Sequence, residues 1–82
     1  MSEALISLAE LKVGSTLSIT KIEVAGTLRR RLLDLGFVPG AEIEVLQKSP
    51  LGDPVAYRVS NTTIALRREE SSKIWGREVR GL

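Results

Sequence analysis

Residues 28–40 read LRRRLLDLGFVPG, an apolar helical pattern that runs directly into a glycine and then a Pro-Gly pair. Three leucines of this stretch fall within about 60° of one another at 100° per residue, which predicts one narrow stripe facing the core. They are Leu28, Leu32 and Leu35. Gly36 suits the left-handed position just beyond a helix end, where a side chain is penalised. The stretch therefore predicts a short helix, from about Val24 to Leu35, that ends abruptly.

The residues after this helix predict a turn into the next strand. Phe37 is placed to fold back onto Leu32, a hydrophobic contact that often accompanies such a helix end. The pair Pro39-Gly40 fits the two central positions of a type II turn. Leu33 lies about 140° from the first leucine of the stripe, so either the helix is covered on two sides or Leu33 is partly exposed.

The rest of the chain alternates apolar and polar residues in short runs, which is typical of half-buried strands. The predicted strands are Thr16–Ile22, Ala41–Lys48, Val55–Val59, a fourth marked by Ile64 and Leu66, and Ile74–Val79. Ser60-Asn61 predicts a hairpin turn. A capping box at Ser7 predicts one helical turn through Leu11, and the polar run Arg67–Lys73 predicts another. Five closely spaced strands with one longer helix after the first predict a mostly β fold, a small and partly open barrel.

Length and composition indicate a single domain, residues 1–82, with an aliphatic core. The 12 Lys and Arg residues nearly balance the 10 Asp and Glu residues, and a net charge of +2 does not by itself indicate a nucleic-acid binder. Without cysteine or histidine the chain has no disulfide, no thiolate metal site and no imidazole base. We therefore expect no catalytic residue, no cofactor and no resident metal. Because we find neither a signal peptide nor a membrane span, we expect a cytoplasmic protein.

Four residues are candidate contacts for a protein partner, because each is an apolar, aromatic or arginine group expected at the surface. They are Leu33, Leu51, Arg67 and Trp75. Each also has a structural interpretation. Leu51 begins a Leu-Gly-Asp-Pro loop whose residues suit a tight connection, Arg67 can cover one end of the barrel, and Trp75 can cover its rim.

The charged groups give weaker signals. Arg29, Arg30 and Arg31 could contact phosphate or an acidic partner, but they span about 200° of a helix and suit a solvated face better. Glu42 and Glu44 project about 7 Å apart from one strand face. Without further ligands they are more typical of a solvated surface than of a metal site.

Four segments together resemble the FeoA family. They are Leu11–Gly14 (LKVG), Arg31–Ala41 (RLLDLGFVPGA), Pro50–Val55 (PLGDPV) and Ile64–Arg67 (IALR). The resemblance covers about Ser7 to Val79 and implies an SH3-like barrel with an inserted helix. It also implies a small cytoplasmic accessory protein of bacterial ferrous iron uptake, whose partner is FeoB, a membrane permease with a cytoplasmic GTP-binding domain. The same type of domain resembles the C-terminal module of DtxR-like metal-dependent repressors.

The leading hypothesis is a non-enzymatic module that binds the permease and supports or regulates transport. The alternative is an SH3-like nucleic-acid-binding or metal-regulation module, and Arg29–Arg31 motivate the nucleic-acid-binding form of it. The lack of a surface aromatic cluster counts against single-strand binding, so we expect no nucleic acid and no direct membrane insertion. A third hypothesis is stimulation of GTP hydrolysis by an arginine supplied in trans. The sequence leaves the binding surface open, and with it the question of a homo-oligomer.

Overall fold

The computed structural model describes residues 4–81, which form six strands, two α-helices and one 3₁₀ turn. The strands are β1 (Ile6–Ser7), β2 (Thr16–Ile22), β3 (Glu42–Lys48), β4 (Val55–Val59), β5 (Thr62–Leu66) and β6 (Ile74–Arg80). The helices are α1 (Gly26–Asp34) and α2 (Arg68–Ser71), and the 3₁₀ turn is Leu8–Glu10. All strand pairs are antiparallel, and the single sheet has the order β1-β6-β2-β3-β4-β5.

The predicted mostly β fold with one longer inserted helix is confirmed, and each of the five predicted strands is present. Strand β1 goes beyond the prediction, because two residues are too few to show an alternating pattern. The helical turn predicted after Ser7 forms as the 3₁₀ turn, but the Ser7 side chain makes no capping hydrogen bond, so the capping box is wrong. Ser7 belongs instead to β1, where its backbone pairs with Trp75.

Helix α1 ends in the predicted manner. The amide of Phe37 donates to the carbonyl of Leu32 at 2.9 Å, and the amide of Gly36 donates to the carbonyl of Leu33 at 3.1 Å. Gly36 has a φ of 107°, so the chain leaves the helix through the left-handed position that favours glycine. Phe37 and Leu32 are both buried in the same hydrophobic cluster, as the predicted fold-back contact requires.

The Pro-Gly pair forms the predicted type II turn. The amide of Ala41 donates to the carbonyl of Val38 at 2.9 Å, and Gly40 has a φ of 92°. The turn is also bonded to the middle of β2. Gly40 donates to the carbonyl of Ile19 at 2.8 Å, and Ile19 donates to the carbonyl of Ala41 at 2.9 Å. These bonds hold the end of α1 beside β2.

The hydrophobic core joins the strands to α1, to the turn after α1 and to the 3₁₀ turn. Its buried members are Leu8, Leu11, Leu17, Ile19, Ile22, Leu32, Phe37, Ile43, Val45, Val55, Tyr57, Val59, Leu66 and Ile74. Helix α1 contributes one fully buried residue, Leu32, while Leu28, Leu33 and Leu35 are half-buried and pack against the cluster. The helix therefore contacts the core over a wider arc than the predicted stripe, and its flanks stay partly open.

Candidate functional site

Leu33 lies where two open grooves meet on the flank of α1. The first groove has a volume of about 370 Å³ and is lined by Gly26, Arg29, Arg30, Leu33 and Asp34. The second has a volume of about 140 Å³ and is lined by Thr20, Lys21, Ile22, Arg29, Leu33 and Pro39. Leu33 is half-buried: it packs against the core and stays partly exposed, which is one of the two alternatives that the sequence left open.

Arg29 forms the wall that the two grooves share with Leu33. Its guanidinium Nη1 donates to the carbonyl of Ile22 at 3.3 Å, which holds the helix side chain against the end of β2. Arg29 and Leu33 are four residues apart, so they lie on the same side of the helix. The result is a partly exposed leucine beside an oriented arginine.

Trp75 lies on the outer side of β6, between the buried residues Ile74 and Gly76. It is half-buried, and its indole Nε1 donates to Glu23 Oε1 at 2.8 Å. The other oxygen of this carboxylate, Oε2, lies 3.4 Å from Nζ of Lys21. Lys21 also pairs with Trp75 in the β2–β6 ladder. The side chains of these three residues therefore form one connected polar and aromatic cluster.

A bulge in β2 places Lys21 at this position. The pairing with β6 shifts register between Ile19 and Lys21. Because a bulge adds one residue to the strand, Ile22 becomes buried although it lies three residues after the buried Ile19. Lys21 then faces solvent, where it lines the second groove and reaches Glu23. We call the surface made of Lys21, Glu23, Arg29, Leu33 and Trp75 the helix surface.

The other two predicted residues lie together on a different connection. Leu51 is 94% exposed, at the tip of the loop between β3 and β4, where Gly52 donates to the carbonyl of Ser49 at 2.8 Å. Two residues on, Asp53 Oδ1 accepts the backbone N–H of Arg68 at 2.8 Å. This bond joins the loop to the start of α2.

Arg67 immediately precedes α2 and is exposed. Its backbone N–H donates to Glu70 Oε1 at 3.0 Å, so the N-terminus of α2 receives two carboxylates, one local and one from the loop. We call the surface made of Leu51, Asp53, Arg67 and Arg68 the loop surface. The structure thus links Leu33 to Trp75 indirectly, through Lys21 and Glu23. It links the loop that carries Leu51 to the start of α2 through the bond between Asp53 and Arg68. No hydrogen bond or ion pair among residues 4–81 joins the two surfaces.

The other charged groups considered in the sequence analysis lie at the surface. Glu44 pairs with Arg58 at 3.4 Å, and both side chains are partly exposed. Arg29, Arg30 and Arg31 are all exposed. Within the described residues, no three His, Cys, Asp or Glu side chains come together as metal ligands would. The same residues contain no helix with the length and apolar character that crossing a membrane requires.

Tyr57 is a buried phenol on β4. Burial raises the pKa of this phenol, which hydrogen-bonds the hydroxyl of Ser71. Tyr57 is 1% exposed and Ser71 is also 1% exposed, so the pair is a polar contact inside the core between β4 and α2. The contact positions α2, and with it Arg67, relative to the sheet.

The family of the chain follows from comparison with known proteins. The model of the FeoA domain matches residues 6–78. The chain belongs to the FeoA family. The Fe(2+) transport protein A/Fe(2+) transporter FeoB fusion protein of Porphyromonas gingivalis is 45% identical over 67 residues. That match covers 82% of this chain but only 8% of the fusion protein.

Two solved FeoA structures agree with the fold. The solution structure of iron(II) transport protein A from Clostridium thermocellum is 40% identical in sequence and superposes with a TM-score of 0.81. The match covers 87% of this chain and 44% of the Clostridium thermocellum chain. The crystal structure of Stenotrophomonas maltophilia FeoA, an SH3 domain protein complexed with zinc, is 30% identical with a TM-score of 0.75, over 84% of this chain and 86% of that one. The predicted SH3-like fold is therefore confirmed, although in this chain the sheet stays open between β1 and β5.

Two members of the helix surface, Lys21 and Glu23, were not predicted from the sequence. Arg29 was considered there as a possible contact, but as part of a solvated arginine face rather than beside Leu33. Lys21 and Glu23 become neighbours of Trp75 only through the β2–β6 pairing, which joins residues more than 50 positions apart. Arg29 carried a signal, since it is four residues before Leu33 on a predicted helix.

Proposed function

We propose that this FeoA-family domain acts in ferrous iron uptake by binding the FeoB permease at its cytoplasmic face, and that it supports or regulates transport without catalysing a reaction. One observation carries the proposal. In a relative that is 45% identical, the corresponding domain is part of the same polypeptide as FeoB. Covalent linkage gives two domains a high effective concentration, which is useful when they act on one another.

A role without catalysis fits the chemistry of the side chains. The sequence contains no histidine and no cysteine, which removes the commonest general base and the strongest protein nucleophile. The pKa of Tyr57 is raised first by burial, and this phenol contacts Ser71 inside the core. We therefore assign the function to binding rather than to bond making.

The helix surface is our candidate for the main contact. Leu33 stands between two grooves, and Trp75 and Arg29 are held in place by hydrogen bonds to Glu23 and to the carbonyl of Ile22. Tryptophan and arginine are enriched among residues that dominate binding energy, and apolar groups in pockets anchor protein interfaces. Side chains that are already oriented lose less entropy on binding.

The loop surface is our candidate for a second, smaller contact. Leu51 exposes 94% of its surface, which makes it an apolar group with no role in the core. Arg67 lies on the same side of the fold, because Asp53 of the loop bonds the backbone of Arg68. One exposed leucine and one arginine supply less buried area than the grooved helix surface, so we expect them to contribute less to affinity.

A pair of leucine substitutions on α1 tests the main contact. Leu33→Ser removes the apolar group between the grooves, and we expect it to weaken binding to full-length FeoB in nanodiscs by about tenfold or more. Leu28→Ser is the matched control, because Leu28 is also half-buried against the core but lines neither groove. We expect this variant to lose similar stability and to bind within about twofold of the natural chain.

Circular dichroism melts of both variants establish that each is folded at the binding temperature. Equal loss of binding in the two variants would assign the effect to stability and remove the helix surface from the proposal. Leu51→Ser, at a position that contacts no core residue, then measures the loop surface alone. No change in affinity from Leu51→Ser would remove the loop surface.

A further inference from the structure

Strand β5 forms one edge of the sheet and has none of the usual protection against pairing with another strand. The other edge, β1, is only two residues long. Strand β5 reads TTIAL, with no charge, no proline and no glycine. Its pairing with β4 is continuous from Val55, which lies opposite Leu66, to Val59, which lies opposite Thr62, so no bulge twists the edge away. Natural sheets usually protect an edge of this length with charges, proline or bulges.

The hairpin geometry fixes which backbone groups of β5 are free. Ser60 and Asn61 have φ values of 50° and 64°, which define a two-residue type I′ turn. In such a hairpin the flanking pair, Val59 and Thr62, is hydrogen-bonded, and bonded pairs then alternate along the ladder. The N–H and C=O groups of Thr63 and Ala65 therefore point away from β4. No backbone hydrogen bond within residues 4–81 reaches these groups from another element.

We propose that this edge pairs with the same edge of a second copy of the chain, in an antiparallel two-fold dimer centred on Ile64. In this register Thr63 of each copy lies opposite Ala65 of the other. Both residues carry the outward-pointing groups, so the two pairs supply four backbone hydrogen bonds. The two Ile64 residues then face one another as a closely spaced pair without hydrogen bonds. The contact is isologous, as a two-fold axis requires.

The side chains favour a second copy as the occupant. Ile64 pairs with the buried Tyr57 and is half-buried at the edge of the core, so a facing isoleucine completes its burial. β-branched cross-strand pairs of this kind are favourable. Thr63 and Ala65 are exposed on the opposite face and are both small and neutral. The register also places Arg67 opposite Asn61 of the second copy, so no like charges meet across the axis.

A charge-pairing experiment tests both the dimer and its register. In the variant Thr63→Lys/Ala65→Lys, each introduced lysine lies opposite another, and we expect self-association to weaken by roughly two- to thirtyfold. In the matched variant Thr63→Lys/Ala65→Glu, each lysine lies opposite a glutamate of the other copy. We expect this variant to associate at least as tightly as the natural chain. Both variants carry a lysine at position 63, opposite Arg58 of the same copy, so the repulsion between these two groups is the same in both and does not affect the comparison.

Sedimentation equilibrium over a concentration series measures the association, and an NMR dilution series locates it. A strand-edge contact is small, so we expect a weak dimer that forms as the concentration approaches roughly 1 mM. The amide signals of Thr63 and Ala65 should shift with concentration and gain exchange protection. A chain that stays monomeric at that concentration, or a dimer that the two variants change equally, would overturn the proposal.

Discussion

The glycine that ends α1 provides a quantitative test of the packing between the helix end and the β4–β5 hairpin. Gly36 has a φ of 107°, and a Cβ at this position would lie 2.7 Å from Ser60 Oγ and 3.3 Å from Ser60 Cβ. Gly40 has a comparable φ of 92°, but a Cβ there meets nothing within 4 Å. Gly36→Ala therefore adds a collision to backbone strain, whereas Gly40→Ala adds strain alone.

The expected magnitudes follow from this difference. An alanine in the left-handed region costs about 1 kcal/mol, which is the expected loss in the free energy of unfolding for Gly40→Ala. The Ser60 hydroxyl can rotate away but its Cβ at 3.3 Å cannot, so the contact adds about 1 kcal/mol and we expect about 2 kcal/mol for Gly36→Ala. Ser60→Gly removes both close atoms and should recover about 1 kcal/mol in the Gly36→Ala background, because only Val59 Cγ2 at 3.4 Å remains.

Urea denaturation of the four variants and the natural chain measures these free energies. Ser60→Gly alone should change stability little, since Ser60 is exposed and has a positive φ of 50° that glycine adopts readily. The double-mutant cycle then isolates the contact between positions 36 and 60. Equal losses for Gly36→Ala and Gly40→Ala, or a coupling energy near zero, would refute the packing argument.

Two further predictions concern polar contacts that hold α2. Burial raises the pKa of Tyr57 in the folded state, so folding favours the neutral phenol. The stability that this preference contributes is complete below about pH 10 and is lost as the pH rises above that value. Tyr57→Phe should lower the free energy of unfolding by about 1 kcal/mol near neutral pH, and this variant should lose less stability at alkaline pH than the natural chain. If urea denaturation at several pH values shows the same alkaline loss of stability for both proteins, the burial argument is contradicted. Asp53→Ala removes the carboxylate that accepts the Arg68 N–H, and it should lower the free energy of unfolding by about 1 kcal/mol. Asp53→Asn keeps an acceptor and should cost less than half of that. Equal shifts in melting temperature for the two variants would exclude the hydrogen bond as the cause.

The local elements of the fold could be predicted because their signals are local. The end of α1 depends on a glycine next to a stripe of leucines, and the β4–β5 hairpin depends on a two-residue turn, and both formed as predicted. The bulge in β2 could not be predicted in this way. Strict alternation from Leu17 would expose Ile22, and only the pairing with β6 shows where the extra residue enters.

The candidate site was harder to predict from the sequence than the fold, because it depends on contacts between distant segments. Trp75 and Leu33 were singled out by residue type and by the surface position that local periodicity predicts. Their connection through Lys21 and Glu23 needs the β2–β6 ladder. The partial burial of Leu33 likewise depends on how far α1 rolls over the core, which periodicity does not determine.

The most direct test of the account is a binding isotherm between this chain and full-length FeoB from the same organism. The permease is reconstituted in nanodiscs, and the isotherm is measured with and without a non-hydrolysable GTP analogue. We predict saturable binding with one site per permease domain, weakened by Leu33→Ser and preserved by Leu28→Ser. Absence of saturable binding under both nucleotide conditions would contradict the account.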